Sequence, residues 1–533
     1  MNGKVACFKE RSGISFAEAV AVSDGKIVRV GRVDDLKQLV GPETVTLNLN
    51  GRVVLPGFID THAHPAMYGT ACLFEVNVSK AASIREIIEI LHKRAEQSKK
   101  GSWIRAYGYD DHKLADRRHP TRLDLDKAAP ENPVALRRCC GHMSVMNTQA
   151  LNILGITKQT KDPDGGVIDR DPASGEPAGL LREKASELAW KTCGTYTVEE
   201  TKKGLARTFQ DLLSWGITTV HDASAIPESI RAYQELKAEG NLPVRVNLMI
   251  QDQYLGQDLL SCVSALGLGG NFGDEWIKIM GIKFFADGSV GGHTAALNVP
   301  YLGEPKNFGV LRIERELLKE RVTKAHNSGF QVCIHAIGDR AIDEALTAIE
   351  TSLEKHPVEN HRHRIEHCGL CQPAQLERIK ASGVFVSSST CFIFEVGDAS
   401  MRALGEERIN WYYPDRSYID YGITSAENSD LGASATANPF IGIYAMVTRK
   451  DDQGRSFGIK QRTTLEEAIR LYTINGALLG FDEKNRGSIE EGKYADLIVL
   501  SDDPFSASEE RFKDITVDIT IVNGKIEYRR NKK

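Results

Sequence analysis

Val53-Val54-Leu55-Pro56-Gly57-Phe58-Ile59-Asp60-Thr61-His62-Ala63-His64 is an apolar run that ends on two histidines one residue apart. In a buried strand, residues i and i+2 share a face, with Cα atoms roughly 7 Å apart. Two imidazoles on one face can converge on a single cation, and imidazole is a good ligand for zinc and its neighbours. Alone, the spacing caps a strand more often than it binds metal. The rest of the chain changes that balance. His335 ends the apolar run Gln331-Val332-Cys333-Ile334, His367 ends Arg364-Ile365-Glu366, and Asp430 follows Gly422-Ile423-Thr424-Ser425-Ala426. Three further ligand-type residues at three further strand ends are not a chance pattern.

The 533 residues, 41% of them apolar and 26% charged, suit a globular chain that buries a large core. A formal net charge of −5 and the absence of a long Lys/Arg run give no footing to nucleic-acid binding. The basic end Arg529-Arg530-Asn531-Lys532-Lys533 reads as a solvated terminus. Met1 to Gly13, with Lys4, Lys9, Glu10 and Arg11, has no apolar signal region, and no stretch approaches the roughly 18 apolar residues of a membrane span. Ten cysteines, two of them adjacent at Cys139-Cys140, show no disulfide framework. They read as reduced, buried thiols, and the expected location is cytoplasmic.

Both ends are strand-rich. Ala19-Val20-Ala21-Val22 and Ile27-Val28-Arg29-Val30 flank an Asp24-Gly25 turn; Ile519-Thr520-Ile521-Val522 and Lys525-Ile526-Glu527-Tyr528 flank Asn523-Gly524. Neither end has enough strands to stand alone. Residues 1–56 and 487–533 are therefore expected to join in one small β-sandwich domain. Between them, 57–486 alternates strands with amphipathic helices, the pattern of an α/β protein with a (β/α)8 TIM barrel. The eight candidate strands are 57–62, 217–222, 244–250, 281–286, 331–336, 364–367, 384–388 and 423–427. The first gap is too long for one helix, so about 70–195 is expected to be an inserted subdomain over the barrel mouth. The last barrel helix is expected at 464–471, with an Asn475-Gly476 turn beyond it.

In such a barrel the active site lies at the carboxyl ends of the strands. His62 and His64 (strand 1), Lys283 (strand 4), His335 (strand 5), His367 (strand 6) and Asp430 (strand 8) would then share one rim. Their coincidence makes metal binding the favoured reading.

The order His-x-His, Lys, His, His, Asp resembles the metal-dependent amidohydrolase superfamily. Leu55-Pro56-Gly57-Phe58-Ile59-Asp60, Lys283-Phe284-Phe285-Ala286-Asp287-Gly288-Ser289, His335-Ala336-Ile337-Gly338-Asp339-Arg340-Ala341 and Arg364-Ile365-Glu366-His367-Cys368 are similar to its YtcJ-like branch, which includes N-substituted formamide deformylases. The similarity extends through Cys140-Gly141-His142 to Asn438-Pro439-Phe440. It implies that His62, His64 and Asp430 bind one divalent metal, most simply zinc with Mn or Fe as alternatives, and that His335 and His367 bind a second. Lys283 would bridge the two as a carbamate, since an ammonium beside two cations is repelled. The competing picture is a single metal, with Lys283 paired to Asp287 or Asp430. A bound metal makes hydroxide available near neutral pH and polarises a carbonyl, with Asp430 as general base.

His142 in the insert is a candidate donor to substrate, and His293, in the Gly291-Gly292-His293 loop, a candidate to reach the site. His221 is expected to pack or hydrogen-bond at the rim, His112 to be solvated, and Asp339 and Arg340 to form a local ion pair at a helix start. Relatives usually carry Ser-Asp-x-Pro after strand 8, a Gln-Pro pair after strand 7, and Trp where Tyr109 stands. This chain reads Ser429-Asp430-Leu431-Gly432 and Ser387-Ser388-Ser389-Thr390 instead, so the relatives' substrates do not transfer. The expectation is a hydrolase of non-peptide amide or N-substituted formamide bonds, acting on a small molecule. The alternatives are a deaminase or cyclic-amide hydrolase on the same site, and a metal-free regulatory or interaction protein. A homodimer is left open.

Overall fold

The computed structural model describes residues 1–8 and 13–531. Lys9, Glu10 and Arg11 of the amino-terminal reading, and Lys532-Lys533 of the basic tail, lie outside the described residues. The quoted run divides at Gly57. Val53–Pro56 belongs to one sheet and Phe58–Ala63 to another. Gly57 has no room for a side chain, because a Cβ there would stand 2.2 Å from Thr218 Oγ1.

Phe58–Ala63 is the first strand (β1) of a parallel sheet. It is followed by β2 (Ile217–Ala225), β3 (Arg245–Gln251), β4 (Ile277–Phe285), β5 (Gln331–Ala336), β6 (Arg364–His367), β7 (Phe385–Ser388) and β8 (Ser425–Glu427), paired in that order. All eight expected strands form; β4 begins earlier and β8 is shorter than the apolar runs suggested. The ring closes between its last and first members through loop contacts. Asp430 N–H donates to His62 O (2.9 Å), His64 N–H to Leu431 O (2.8 Å) and Thr61 Oγ1 to Glu427 O (2.9 Å).

Helices wrap the strands because their apolar residues recur on one face. In Asp339–Lys355, Ile342, Ala345, Leu346 and Ile349 are buried against β5 and its neighbours. Val198–Ser214 starts on a Thr197–Glu200 capping box and buries Leu205, Phe209 and Leu212. The helix expected at 464–471 forms over Leu465–Leu471, with Thr464 as its cap. The Asn475-Gly476 turn is not formed: both residues lie in a further helix, Ile474–Leu479. Gly476 serves there as a flat contact, since a Cβ would meet Ile59 at 2.8 Å. Among the described residues no helix is long and apolar enough to cross a membrane.

The two chain ends meet in a six-stranded sheet ordered Ile14–Ala17, Lys4–Phe8, Val53–Pro56, Leu497–Leu500, Val517–Val522, Lys525–Arg529. Facing it is a single hairpin, Ala19–Ser23 with Lys26–Gly31, over a core of Val5, Ile27, Val54, Leu497 and Ile519. Both hairpin turns have two positive φ values, 50° and 75° at Asp24-Gly25 and 52° and 77° at Asn523-Gly524, as their sequences demand. The insert carries a six-stranded sheet of its own. Two of its strands, Gly166–Arg170 and Pro177–Glu183, arise in or at the edge of a segment rich in Gly, Pro and Asp.

Candidate metal centre

His62 is the last residue but one of β1, fully buried, and His64 caps the helix Pro65–Phe74 that follows. Asp430 lies three residues past β8, brought in by the same hydrogen bond to His62 O that closes the ring. His62 Nε2 and His64 Nε2 lie 3.7 and 3.2 Å from Asp430 Oδ1. Ligands about 2.0–2.2 Å from a tetrahedral zinc stand about 3.3–3.6 Å apart, so this spacing fits. Asp430 Oδ1 is buried and has no hydrogen-bond partner, a costly state for a carboxylate unless a cation completes it. Among the described residues these three side chains are the group of His, Cys, Asp and Glu that could hold an ion.

His62, His335 and His367 each have a ring nitrogen held by a neighbouring group. His62 Nδ1 pairs with Glu366 Oε2 at 2.5 Å, which directs Nε2 toward Asp430. His335 Nε2 donates to Gly288 O (3.1 Å), and His367 Nδ1 pairs with Ser389 Oγ (2.8 Å), itself a donor to Asn428 Oδ1 (2.8 Å). The His367 ring stands 4.6 Å from those of both His62 and His335. Lys283 Nζ lies 3.2 Å from His62 Nε2 and 4.6 Å from the Phe285 ring centroid. Asp287, its proposed partner in the single-metal picture, instead accepts N–H groups from Ala296, Ile337 and Gly338. Burial pulls the Lys283 amine down to about 8, against the pull of Glu366 and Asp430, and drives the His367 imidazole down to about 3. Both shifts run in the direction of the neutral forms that bind cations or carbon dioxide. His367, Cys368 and Asp430 hold φ of 68°, 48° and 51°. Such left-handed non-glycine residues cost about 1–3 kcal/mol each and collect at functional sites.

A cavity of about 370 Å³ opens from this group toward the insert. His142 lines it, its ring 5.1 Å from that of His335 and its Nδ1 2.8 Å from the buried Glu183 Oε2. Trp190, Tyr196 and Tyr254 form its far wall, with Arg137 stacked on Trp190 and paired to Glu75 at 2.9 Å.

Other expectations fall elsewhere. His293 does not reach this cavity; it pairs with Glu304 (2.6 Å) and lines a separate cavity of about 400 Å³ with His112 and His119. His112 is no solvated loop residue, since its Nε2 donates to Gly291 O. His221 is buried below the rim, accepting from Arg364 Nη1 (3.1 Å). Asp339 opens its helix but takes the N–H groups of Asn298 and Arg340, and no ion pair joins it to the Arg340 guanidinium among the described residues. Two groups were missed. Glu366 and Arg364 alternate with Ile365 on β6, and two charges on the inner face of a buried strand were a legible sign of a pair. Cys368 and Cys371 form a Cys-x-x-Cys spacing after His367, contrary to the expectation that the cysteines include no such pair. Both are fully buried free thiols.

The amidohydrolase family model Amidohydro_3 matches residues 45–528. The chain is 32% identical to the putative amidohydrolase YtcJ of Bacillus subtilis, over 96% of each chain. It is 28% identical to the N-substituted formamide deformylase of Arthrobacter pascens, over 97% of this chain and 96% of that one. Among solved structures, an uncharacterized metal-dependent hydrolase of Pyrococcus horikoshii superimposes with a TM-score of 0.77 at 29% identity, covering 96% of this chain and 98% of that one.

Proposed function

Because the chain belongs to the amidohydrolase family, we propose that it hydrolyses a carbon–nitrogen bond of a small non-peptide amide or N-substituted formamide, with a divalent metal, zinc first, held by His62, His64 and Asp430. The observation that carries this reading is the buried, unpartnered Asp430 Oδ1 facing two histidine nitrogens at the mouth of a closed barrel. When bound, such a cation lowers the pKa of water and polarises a carbonyl. Asp430 is placed to take the nucleophile's proton at a carboxylate oxygen and pass it to the departing nitrogen. His142, tied to Glu183 through Nδ1, presents Nε2 to the same space and can hold a substrate oxygen or nitrogen. The insert wall limits water entry, and Trp190, Tyr196 and Tyr254 favour an apolar or aromatic substituent on the amide. Lys283, buried beside His62 with its charge disfavoured, suits carbamylation and a second ion on His335 and His367. The proposed location is the cytoplasm, on the cysteine usage read above.

The test is a screen of N-formyl, N-acetyl and cyclic amides against protein loaded with zinc or manganese. Release of amine from an acyclic amide supports the proposal. Turnover confined to aminated heterocycles or cyclic amides would replace it with the deaminase or cyclic-amide reading, and no metal uptake would defeat both.

A further inference from the structure

Barrel interiors are normally filled by stacked aliphatic side chains, yet under this rim two full charges are completely buried. Arg364 and Glu366, both 0% exposed, project from β6 into the barrel and pair with each other, Arg364 Nε to Glu366 Oε1 at 2.5 Å and Nη2 to Glu366 Oε2 at 3.1 Å. The pair also reaches across to β1 at two points. Arg364 Nη2 donates to Thr61 O (2.7 Å), and Glu366 Oε2 receives His62 Nδ1 (2.5 Å). A third contact, Arg364 Nη1 to His221 Nδ1 (3.1 Å), braces the guanidinium against β2. Backbone and ring of the same short segment are thus gripped by one ion pair.

Burying two charges costs several kcal/mol each, and replacing such a pair by apolar residues is often neutral or stabilising. Stability alone therefore gives a weak reason for it. We infer that Arg364 and Glu366 are positioning residues for the metal: Glu366 fixes the ring of His62 with Nε2 facing Asp430, and Arg364 fixes Glu366. Outer partners of this kind commonly change metal affinity about 10–100-fold when removed. The inference rests on the metal-site reading above.

It is tested by titrating the protein, freed of metal, with zinc in competition with a chromophoric chelator, alongside thermal melting of the metal-free form. Glu366→Asp keeps the charge but withdraws the carboxylate from His62, and should weaken zinc binding about tenfold or more. Glu366→Gln alone leaves the buried Arg364 charge without its counter-ion and is expected to destabilise the fold. The double variant Arg364→Met/Glu366→Gln removes that problem, and should melt near the wild type while still binding zinc about 10–100-fold more weakly. Wild-type zinc affinity in either Glu366→Asp or the double variant would overturn the inference, leaving the pair a structural feature. His64→Ala separates the two levels. If it too binds zinc normally, the metal site is wrong; if it loses zinc while the Glu366 variants do not, only the positioning role falls.

Discussion

The barrel has histidine clusters at both ends, and they differ in what their nitrogens do. At the amino-terminal end of β5 and β6, His326, His361 and His363 pack with ring centroids 4.6–5.0 Å apart, much as the rim histidines do. There every ring nitrogen is spoken for. His363 Nδ1 accepts Val332 N–H (3.0 Å) and its Nε2–H donates to His326 Nδ1 (2.8 Å); His326 Nε2–H donates to His356 O (2.6 Å). His361 accepts His363 N–H (2.9 Å) and donates to Ser382 O (2.9 Å). At the rim a carboxylate joins the cluster, its Oδ1 facing two histidine nitrogens at 3.2 and 3.7 Å without a well-directed hydrogen bond from either. Proximity of histidines is therefore no sign of a metal. Spare lone pairs beside an unsatisfied carboxylate are.

The largest test of that contrast is Asp430→Asn, expected to cut kcat/KM by about a hundredfold to ten-thousandfold if it removes the base, with bound metal reduced; steady-state rates and elemental analysis read it. Lys283→Ala should lose most activity and much of the metal, with partial rescue by short carboxylic acids, whereas Lys283→Arg should give no rescue because a guanidinium cannot carry a carbamate. Full metal content in Lys283→Ala would leave a one-ion site.

At the other end the sign should reverse: stability falls and metal stays. His363→Ala strands the buried Val332 N–H and should cost about 1–3 kcal/mol, seen in denaturant titration with zinc content unchanged. A loss of zinc there would erase the distinction between the ends.

The smallest effect is on pH. Burial, with the neighbouring histidines adding to it, holds His363 below its ordinary value. Below the unfolded value of about 6.5, the unfolded chain binds a proton that the native ring refuses. Stability therefore falls as pH drops through that value and recovers as it rises. Against the wild type, His363→Ala should lose less of its remaining stability between about pH 7 and 5; an unchanged slope would mean that this cluster does not titrate on unfolding.

The eight strands were legible because buried parallel strands read as short apolar runs, and His62, His335 and His367 because each stands at the end of such a run. What stayed hidden depends on packing between distant segments. His293 has the same local look as a site residue, yet Glu304 draws it into a separate cavity. The Glu183–His142 contact joins the end of one strand of the insert to the turn before another, and no spacing announces it. Glu366 lay one residue before a recognised ligand, and only its charge in an apolar setting marked it.

The split at Gly57 also bears on how the chain is made. Val53–Pro56, buried and almost wholly apolar, pairs on one side with Lys4–Phe8, but its other edge waits for Leu497–Leu500. Synthesis from the amino end leaves that edge open until nearly the whole polypeptide has emerged, and an open apolar strand edge invites pairing with other chains. A nascent chain arrested before residue 497 should therefore be sticky and depend on chaperones, which sedimentation of stalled chains would show. Release of the last few dozen residues should convert it to a dispersed form.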